Sequence, residues 1–224
     1  MSIELRVLCE GATEQGFITQ VLAPHLRQFR VFPSPEPLAR GLSGAVPFKT
    51  LYDAIKRDVG RSREHQYVTT MIDLYRLGQY PGVEKEPDET IVHRVARIES
   101  GMSGALPNER FIPYIQVHEF EALVFVDLDE LPSQFPDGEA AGAAGRLRQE
   151  VGAMAPEDIN DSELTAPSKR LIREVPAYRD LKAIVGPAIT ARIGLPRLRN
   201  ACPHFDAWVT RLEGLANRGP SEEP

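Results

Sequence analysis

Hydrophobic positions in this chain switch repeatedly between the spacing of strands and the spacing of helices. Ile3, Leu5, Val7 and Leu8 form a short β-prone run that stops at Glu10 and Gly11. Phe17, Ile18, Val21 and Leu22 then recur at helical spacing, with Thr13 predicted as the N-cap and Glu14 in the first turn. The pattern is strand, glycine turn, helix, with one carboxylate at the strand's carboxyl end and another at the helix entrance. In open α/β sheets, ligands bind at that end of the strands. By residue type alone, Glu14 equally suits any helix N-terminus and Glu10 any solvated turn.

Phe29 to Phe32 reads as a second short strand, followed by a proline-rich bend at Pro33, Pro35 and Pro37. The small-residue stretch from Arg40 to Val46 could bring backbone amides to a phosphate. It matches no P-loop, because Lys49 does not follow the second glycine, and a plain connection to a helix over 48–63 accounts for it. Tyr67 to Asp73 is the clearest buried strand, β-branched and ending in a lone aspartate. After a loop through Tyr75, Gly78 and Gly82 comes an acidic stretch (Glu84, Glu86, Asp88, Glu89). A helix over 90–99 follows, closed by Gly101 and Gly104, and Arg110 to Gln116 forms another strand. This alternation predicts an α/β fold with a mainly parallel sheet flanked by helices.

His118-Glu119-Phe120-Glu121 follows that strand directly. Glu119 and Glu121 cannot share a face of a regular helix, so at most one joins His118 in facing a site unless the segment is a turn. Residues 136–154 read as an exposed helix with flexible flanks. Pro167 starts another helix, with Ser168, Lys169 and Arg170 clustered where an anion could meet them, or where a capped helix simply carries two solvated cations. Helices broken by Pro176, Pro187 and Pro196 follow, and Phe205, Trp208, Val209 and Leu212 form a core stripe. The predicted organisation is an α/β core over 1–135, a helical C-terminal portion over 136–215 packed on the same core, and a disordered tail over 216–224.

Composition narrows the classes. With 224 residues, 42% of them hydrophobic, the chain can bury a substantial core. No run is long enough to span a bilayer, and the N-terminus has no signal-peptide pattern, so a cytoplasmic protein without membrane contact is expected. Cys9 and Cys202 lie far apart without a partner motif, consistent with a reducing compartment. The net charge of −6 is uneven: residues 1–164 carry −10 and residues 165–224 carry +4. An acidic body and a basic C-terminal part would place metal ligands beside a surface for polyanions, although an ordinary solvated helical surface has the same bias.

Acids therefore stand at three strand ends: Glu10, Asp73 and the His118–Glu121 group. Carboxylates gathered on one sheet edge raise each other's pKa unless a cation neutralises them. An all-oxygen set suits Mg²⁺ or Mn²⁺, which could activate water for phosphoryl hydrolysis, with Lys169 stabilising the added charge.

Glu10-Gly11-x-Thr13-Glu14 after a strand, with the acid-terminated strand at Asp73, resembles the Toprim domain of topoisomerases, primases and overcoming-lysogenization-defect nucleases. Five segments are similar to the bacterial Toprim-like family filed as domain of unknown function 4276. These are Cys9 to Glu14, Ile72 to Tyr75, Pro113 to Leu123, Thr165 to Arg170 and Cys202 to Phe205. The resemblance runs from residue 3 to 213 and implies a Toprim-like core, a helical C-terminal portion and defence or mobile-element gene clusters, where some relatives accompany an ATPase. It implies metal ligation by Glu10 and Asp73, with Glu121 or Glu119 supplying the missing ligand and Glu121 the better match. It pairs Glu14 with a second acid and Lys169 loosely with a late basic residue; the catalytic residues expected are then Glu10, Glu14, His118 and Lys169. Phosphate would meet Lys169, Arg170 and Ser168. Tyr75 departs from the pattern, since a second acid is expected there. The expected function is a Mg²⁺- or Mn²⁺-dependent nuclease acting on nucleic acid, in a bacterial phage-defence setting. The alternatives are a non-catalytic partner of an ATPase complex and a hydrolase of small phosphoesters, which an acidic surface suits better than long duplex DNA.

Overall fold

The computed structural model describes residues 1–38, 46–61, 65–75, 77–135, 138–159 and 165–217. Arg40 to Ala45 of the small-residue stretch and most of the predicted tail lie outside these.

Strand β1 (Ile3–Cys9) sits between β2 (Val31–Pro37) and β3 (Gln66–Asp73), and all three run parallel. Two short pieces, β4 (Phe111–Ile112) and β5 (Ile115–Gln116), continue the sheet on the far side of β3, also parallel. The mainly parallel sheet flanked by helices matches the sequence expectation.

The proline-rich bend does not form. Pro33, Pro35 and Pro37 lie within β2, an edge strand in register with β1. Leu38 donates to the carbonyl of Cys9 (2.8 Å), and the carbonyl of Arg30 accepts from Ile3 (2.8 Å), so even-numbered backbone groups face β1. The odd positions face outward, where a missing N–H leaves no ladder bond unmade.

Pro113 divides the predicted strand 110–116 into β4 and β5. Threonine hydroxyls of β3 bridge the break: Thr70 accepts from the Tyr114 N–H (2.8 Å) and donates to its carbonyl (2.7 Å), while Thr69 donates to the Ile112 carbonyl (2.6 Å).

Helices α3 (Phe48–Arg61) and α4 (Ile91–Ala105) cover one face, with Leu51, Ile55, Val95, Ile98 and Met102 packed on Leu8, Val68 and Ile72. Thr90 caps α4 by accepting from the His93 N–H (3.3 Å). The helix then runs through Gly101 and Gly104 instead of ending there. Gly101 passes so close to Pro81 that a Cβ would meet its carbonyl oxygen at 2.7 Å.

The other face carries α1 (Ala12–Phe17), which continues through a π turn (Ile18–Leu22) into α2 (Ala23–Leu26), and the C-terminal helices. Those are α5 (Glu139–Val151), α6 (Pro167–Glu174), α7 (Tyr178–Ile193), α8 (Leu195–Ala201) and α9 (Pro203–Glu213). One apolar cluster runs from Ile3 through Phe17, Phe120 and Leu147 to Trp208 and Leu215, so this part shares its core with the sheet. Trp208 stacks on Tyr114 (4.1 Å between centroids) and donates to Thr69 (2.9 Å). Helix α5 is not merely exposed, since Ala140, Ala143, Ala144 and Leu147 are buried. Pro187 does not break its helix, and α7 passes through it.

Candidate functional site

The carboxyl ends of β1 and β3 bring Glu10 and Asp73 together. Glu10 accepts from the Asp73 N–H through Oε1 (3.2 Å), and Asp73 accepts from the Phe120 N–H through Oδ1 (3.0 Å). The N-cap of α1 is Gly11, not the predicted Thr13, which lies buried within the first turn. Glu14 reaches back to the Gly11 N–H (2.8 Å) and so turns its carboxylate toward the strand end.

After β5 the chain makes a left-handed turn at His118 (φ 61°) and enters a 3-10 segment, Phe120–Val126. This backbone conformation is uncommon for a residue with a side chain. The segment is thus the turn under which the one-glutamate limit does not hold. His118 turns away, its Nε2 donating to the carbonyl of Glu157 (3.0 Å), while both Glu119 and Glu121 sit within electrostatic reach of Asp73.

Five buried or half-buried carboxylates, Glu10, Glu14, Asp73, Glu119 and Glu121, thus share one neighbourhood. Burial, then the charge of Glu14, pushes Glu10 up to about 7, against the Asp73 N–H and Lys182. Burial likewise pushes Glu121 up to about 7, with Lys182 opposing and Glu119 adding to the rise. Asp73 is raised by burial and by all four other acids, and Glu14 by burial. The thiol of Cys9 beneath them is driven up to about 12 by burial and by Glu14 and Glu10, which keeps it protonated.

The cation facing these acids is Lys182 of α7, which the sequence reading missed. Its pKa is raised, foremost by Glu121, then by Asp73, Glu14 and Glu119 against the effect of burial. Lys182 is exposed to solvent. Tyr178, Lys182 and Gly186 are spaced by four and lie on one stripe of α7. Gly186 lets that stripe close in, since a Cβ there would meet Phe120 at 2.9 Å and the Tyr178 hydroxyl at 3.2 Å. The Tyr178 hydroxyl lies beside Glu121 without reaching hydrogen-bond geometry, and both it and Glu121 Oε1 are buried without a partner. The only signal for Lys182 in the sequence is this spacing to a small residue.

The basic cluster on α6 is placed differently from the expectation. Ser168 gives both its N–H (2.9 Å) and its hydroxyl (3.0 Å) to Glu119. Arg170 is buried against Glu150 and donates to the Thr165 carbonyl (2.7 Å), while Lys169 is exposed. Much of the C-terminal positive charge is likewise spent internally: Arg173 on Glu150 and Glu174, Arg192 on Glu130, Arg197 on Asp127 and Arg199 on Asp206 and Glu213. These pairs tie part of the C-terminal positive charge to acids of the body.

Among the described residues, no group of three or more His, Cys, Asp or Glu side chains stands ready to hold a metal ion. No helix among them is long and apolar enough to cross a membrane.

The profile of the domain of unknown function DUF4276 matches residues 9–213. No curated protein matches the chain. Among solved structures, the C-terminal region of the Xanthomonas campestris pv. campestris OLD protein is similar, at 14% identity and a TM-score of 0.36. The match covers 92% of this chain and 96% of that one.

Proposed function

We propose, for a chain that belongs to the DUF4276 family of domains of unknown function, a metal-dependent hydrolysis of phosphodiesters at the Glu10–Asp73–Glu121 cluster. The observation that carries this reading is the convergence of five carboxylates at one sheet edge, two of them pushed to about 7, opposite Lys182. Such a set is under electrostatic stress that a bound cation would relieve.

The donor chemistry suits a hard divalent cation, but the carboxylates would have to close up around it, since no three of them are grouped as ligands as they stand. The donors are all oxygen, and Glu121 Oε1 is buried with no partner of its own. Glu10, Asp73 and Glu121 would hold Mg²⁺ or Mn²⁺, with Glu119 nearby but committed to Ser168. When bound, that cation supplies an activated water and neutralises phosphoryl charge. Glu14, anchored on Gly11, orients the strand end. Lys182 faces the phosphate from the solvent side and takes up charge that builds on it. Lys169 would bind substrate backbone farther out. His118 fixes the turn that presents Glu119 and Glu121.

Calorimetric titration of Mn²⁺ into the wild type and Asp73→Ala tests the reading. Micromolar binding that Asp73→Ala abolishes, with Mn²⁺-dependent cleavage lost in Glu10→Gln, supports it; no binding by the wild type removes it. A second reading, a non-catalytic subunit of an ATPase-containing complex, is favoured by Tyr75 at the position where the Toprim resemblance expects an acid. It requires a metal-independent complex with the ATPase and no cleavage by the isolated chain.

A further inference from the structure

A concavity opens at the same end of the sheet as the acids, on the face that α3 and α4 cover. It is an open depression of about 690 Å³ between the first turns of α3 and the loop after β3, lined by Phe48, Lys49, Tyr52, Asp53, Gly78 and Gln79. That volume accommodates a nucleoside with its phosphate.

Its wall is aromatic and partly exposed. Phe48 and Tyr52 meet edge to face at 6.1 Å, and Phe48 tilts against Tyr80 at 5.1 Å. Tyr80 is buried, and its hydroxyl is anchored on the Val46 carbonyl (2.9 Å), so the wall has a fixed floor. Phe48 and Tyr52 keep partial exposure toward the cleft. The amide of Gln79 can donate and accept at a base edge. Lys49 stands at the rim, paired with Asp53 (2.7 Å), and Lys56 lies 6.0 Å from the Tyr52 ring centre.

Position adds what composition alone would not. Gly78 and Gln79 follow Asp73 by a few residues, and Tyr80 feels the charge of Glu10. A ligand in the cleft therefore lies at the same end of the sheet as the acidic cluster.

We infer that this cleft is a nucleobase-stacking subsite, in which Phe48 and Tyr52 hold a base flanking the phosphodiester that the acidic cluster acts on. The inference rests on the proposed hydrolysis for its substrate class. Aromatic stacking of bases is tolerant of sequence, so the subsite would set reach along a strand and not base identity.

The test is binding by fluorescence anisotropy of the full chain in EDTA, which separates it from cleavage. The probes are a labelled ten-residue oligothymidylate, the same backbone without bases, and AMP as competitor. Expected is measurable binding of the oligothymidylate, about ten-fold weaker for the abasic backbone and for Tyr52→Ala, with Tyr52→Phe within about two-fold of wild type. Competition by AMP as strong as by unlabelled oligomer would assign the site to free nucleotides, and weak competition to a polynucleotide; either keeps the stacked base. Equal affinity for the abasic backbone, unchanged binding by Tyr52→Ala when circular dichroism shows it folded, or no binding by the wild type would overturn the inference. Hydrolysis of methyl p-nitrophenyl phosphate with Mn²⁺, in wild type against Glu10→Gln, tests the hydrolytic reading with no base present. The two can therefore fail separately.

Discussion

Gly16 of α1 lies against Pro187 of α7 so closely that a Cβ on Gly16 would sit 2.7 Å from the proline Cγ. This contact seats α7 on α1 and brings Lys182, a turn and a half earlier on α7, over the acids at the α1 entrance. Gly16→Ala should cost about 1–3 kcal/mol through overpacking. That lowers the melting temperature by several degrees in a chain of this size. Pro187→Ala in the same protein should restore part of the loss, and a cycle of thermal melts with no coupling would refute the contact.

Lys182→Met should raise the carboxylates further, because Lys182 holds Glu10, Glu14 and Glu121 down. A carboxyl-detected NMR titration should move the Glu121 midpoint above about 7. Under the proposed hydrolysis, kcat should fall about a hundred-fold, the scale for removing one group that stabilises developing charge. An unshifted midpoint would show that the lysine does not face the cluster.

The metal-free protein should be more stable at pH 6 than at pH 8. Glu10 and Glu121 titrate near 7 when folded, against a reference of 4.5, so the folded state holds protons that the unfolded state releases. Stability from these groups is then lost as pH rises from about 4.5 to about 7. His204 acts in the same direction. Burial opposes its charge, but the hydrogen bond and charge of Glu99 prevail and raise its pKa, so its contribution is full below the ordinary imidazole value and lost at higher pH. The control is Glu10→Gln with Glu121→Gln, which should flatten the slope of melting temperature against pH by removing the carboxylate part.

Ser168→Ala and Glu119→Ala separate structure from phosphate recognition on α6. Removing the hydroxyl leaves the N–H bond to Glu119 and should cost about 1 kcal/mol. Removing Glu119 strands both buried donors of Ser168 and should cost more, about 2–3 kcal/mol, read from denaturant midpoints. Similar losses for the two variants would contradict this arrangement.

The strands that carry the acids were legible because apolar β-branched runs end abruptly at Glu10 and Asp73, and the period of two is a local property. The elements misread were those where a local breaker is harmless in context. Pro33, Pro35 and Pro37 suit an edge strand because their nitrogens face away from β1. Gly101 stays helical because it packs on Pro81, and Pro187 because it fills the hollow left by Gly16. Lys182 was hidden for a different reason. It reaches the acids from α7, far along the chain, and nothing local marks it as their counter-charge. Ser168 and Arg170 looked like an anion site because their partners, Glu119 and Glu150, are set only by tertiary packing.

The prolines of β2 have a counterpart at the opposite border of the sheet. There the outward N–H of Ile115 is occupied by Glu99 of α4 (2.8 Å), which His204 also contacts (3.1 Å). One border offers no donors at its prolines, and the other has a donor already engaged. A neighbouring chain cannot extend this sheet by backbone pairing at these positions without breaking the Glu99 contact or meeting a proline ring. Assembly by adding a strand at these positions is therefore disfavoured. Growth of the sheet into fibrils is disfavoured from both sides.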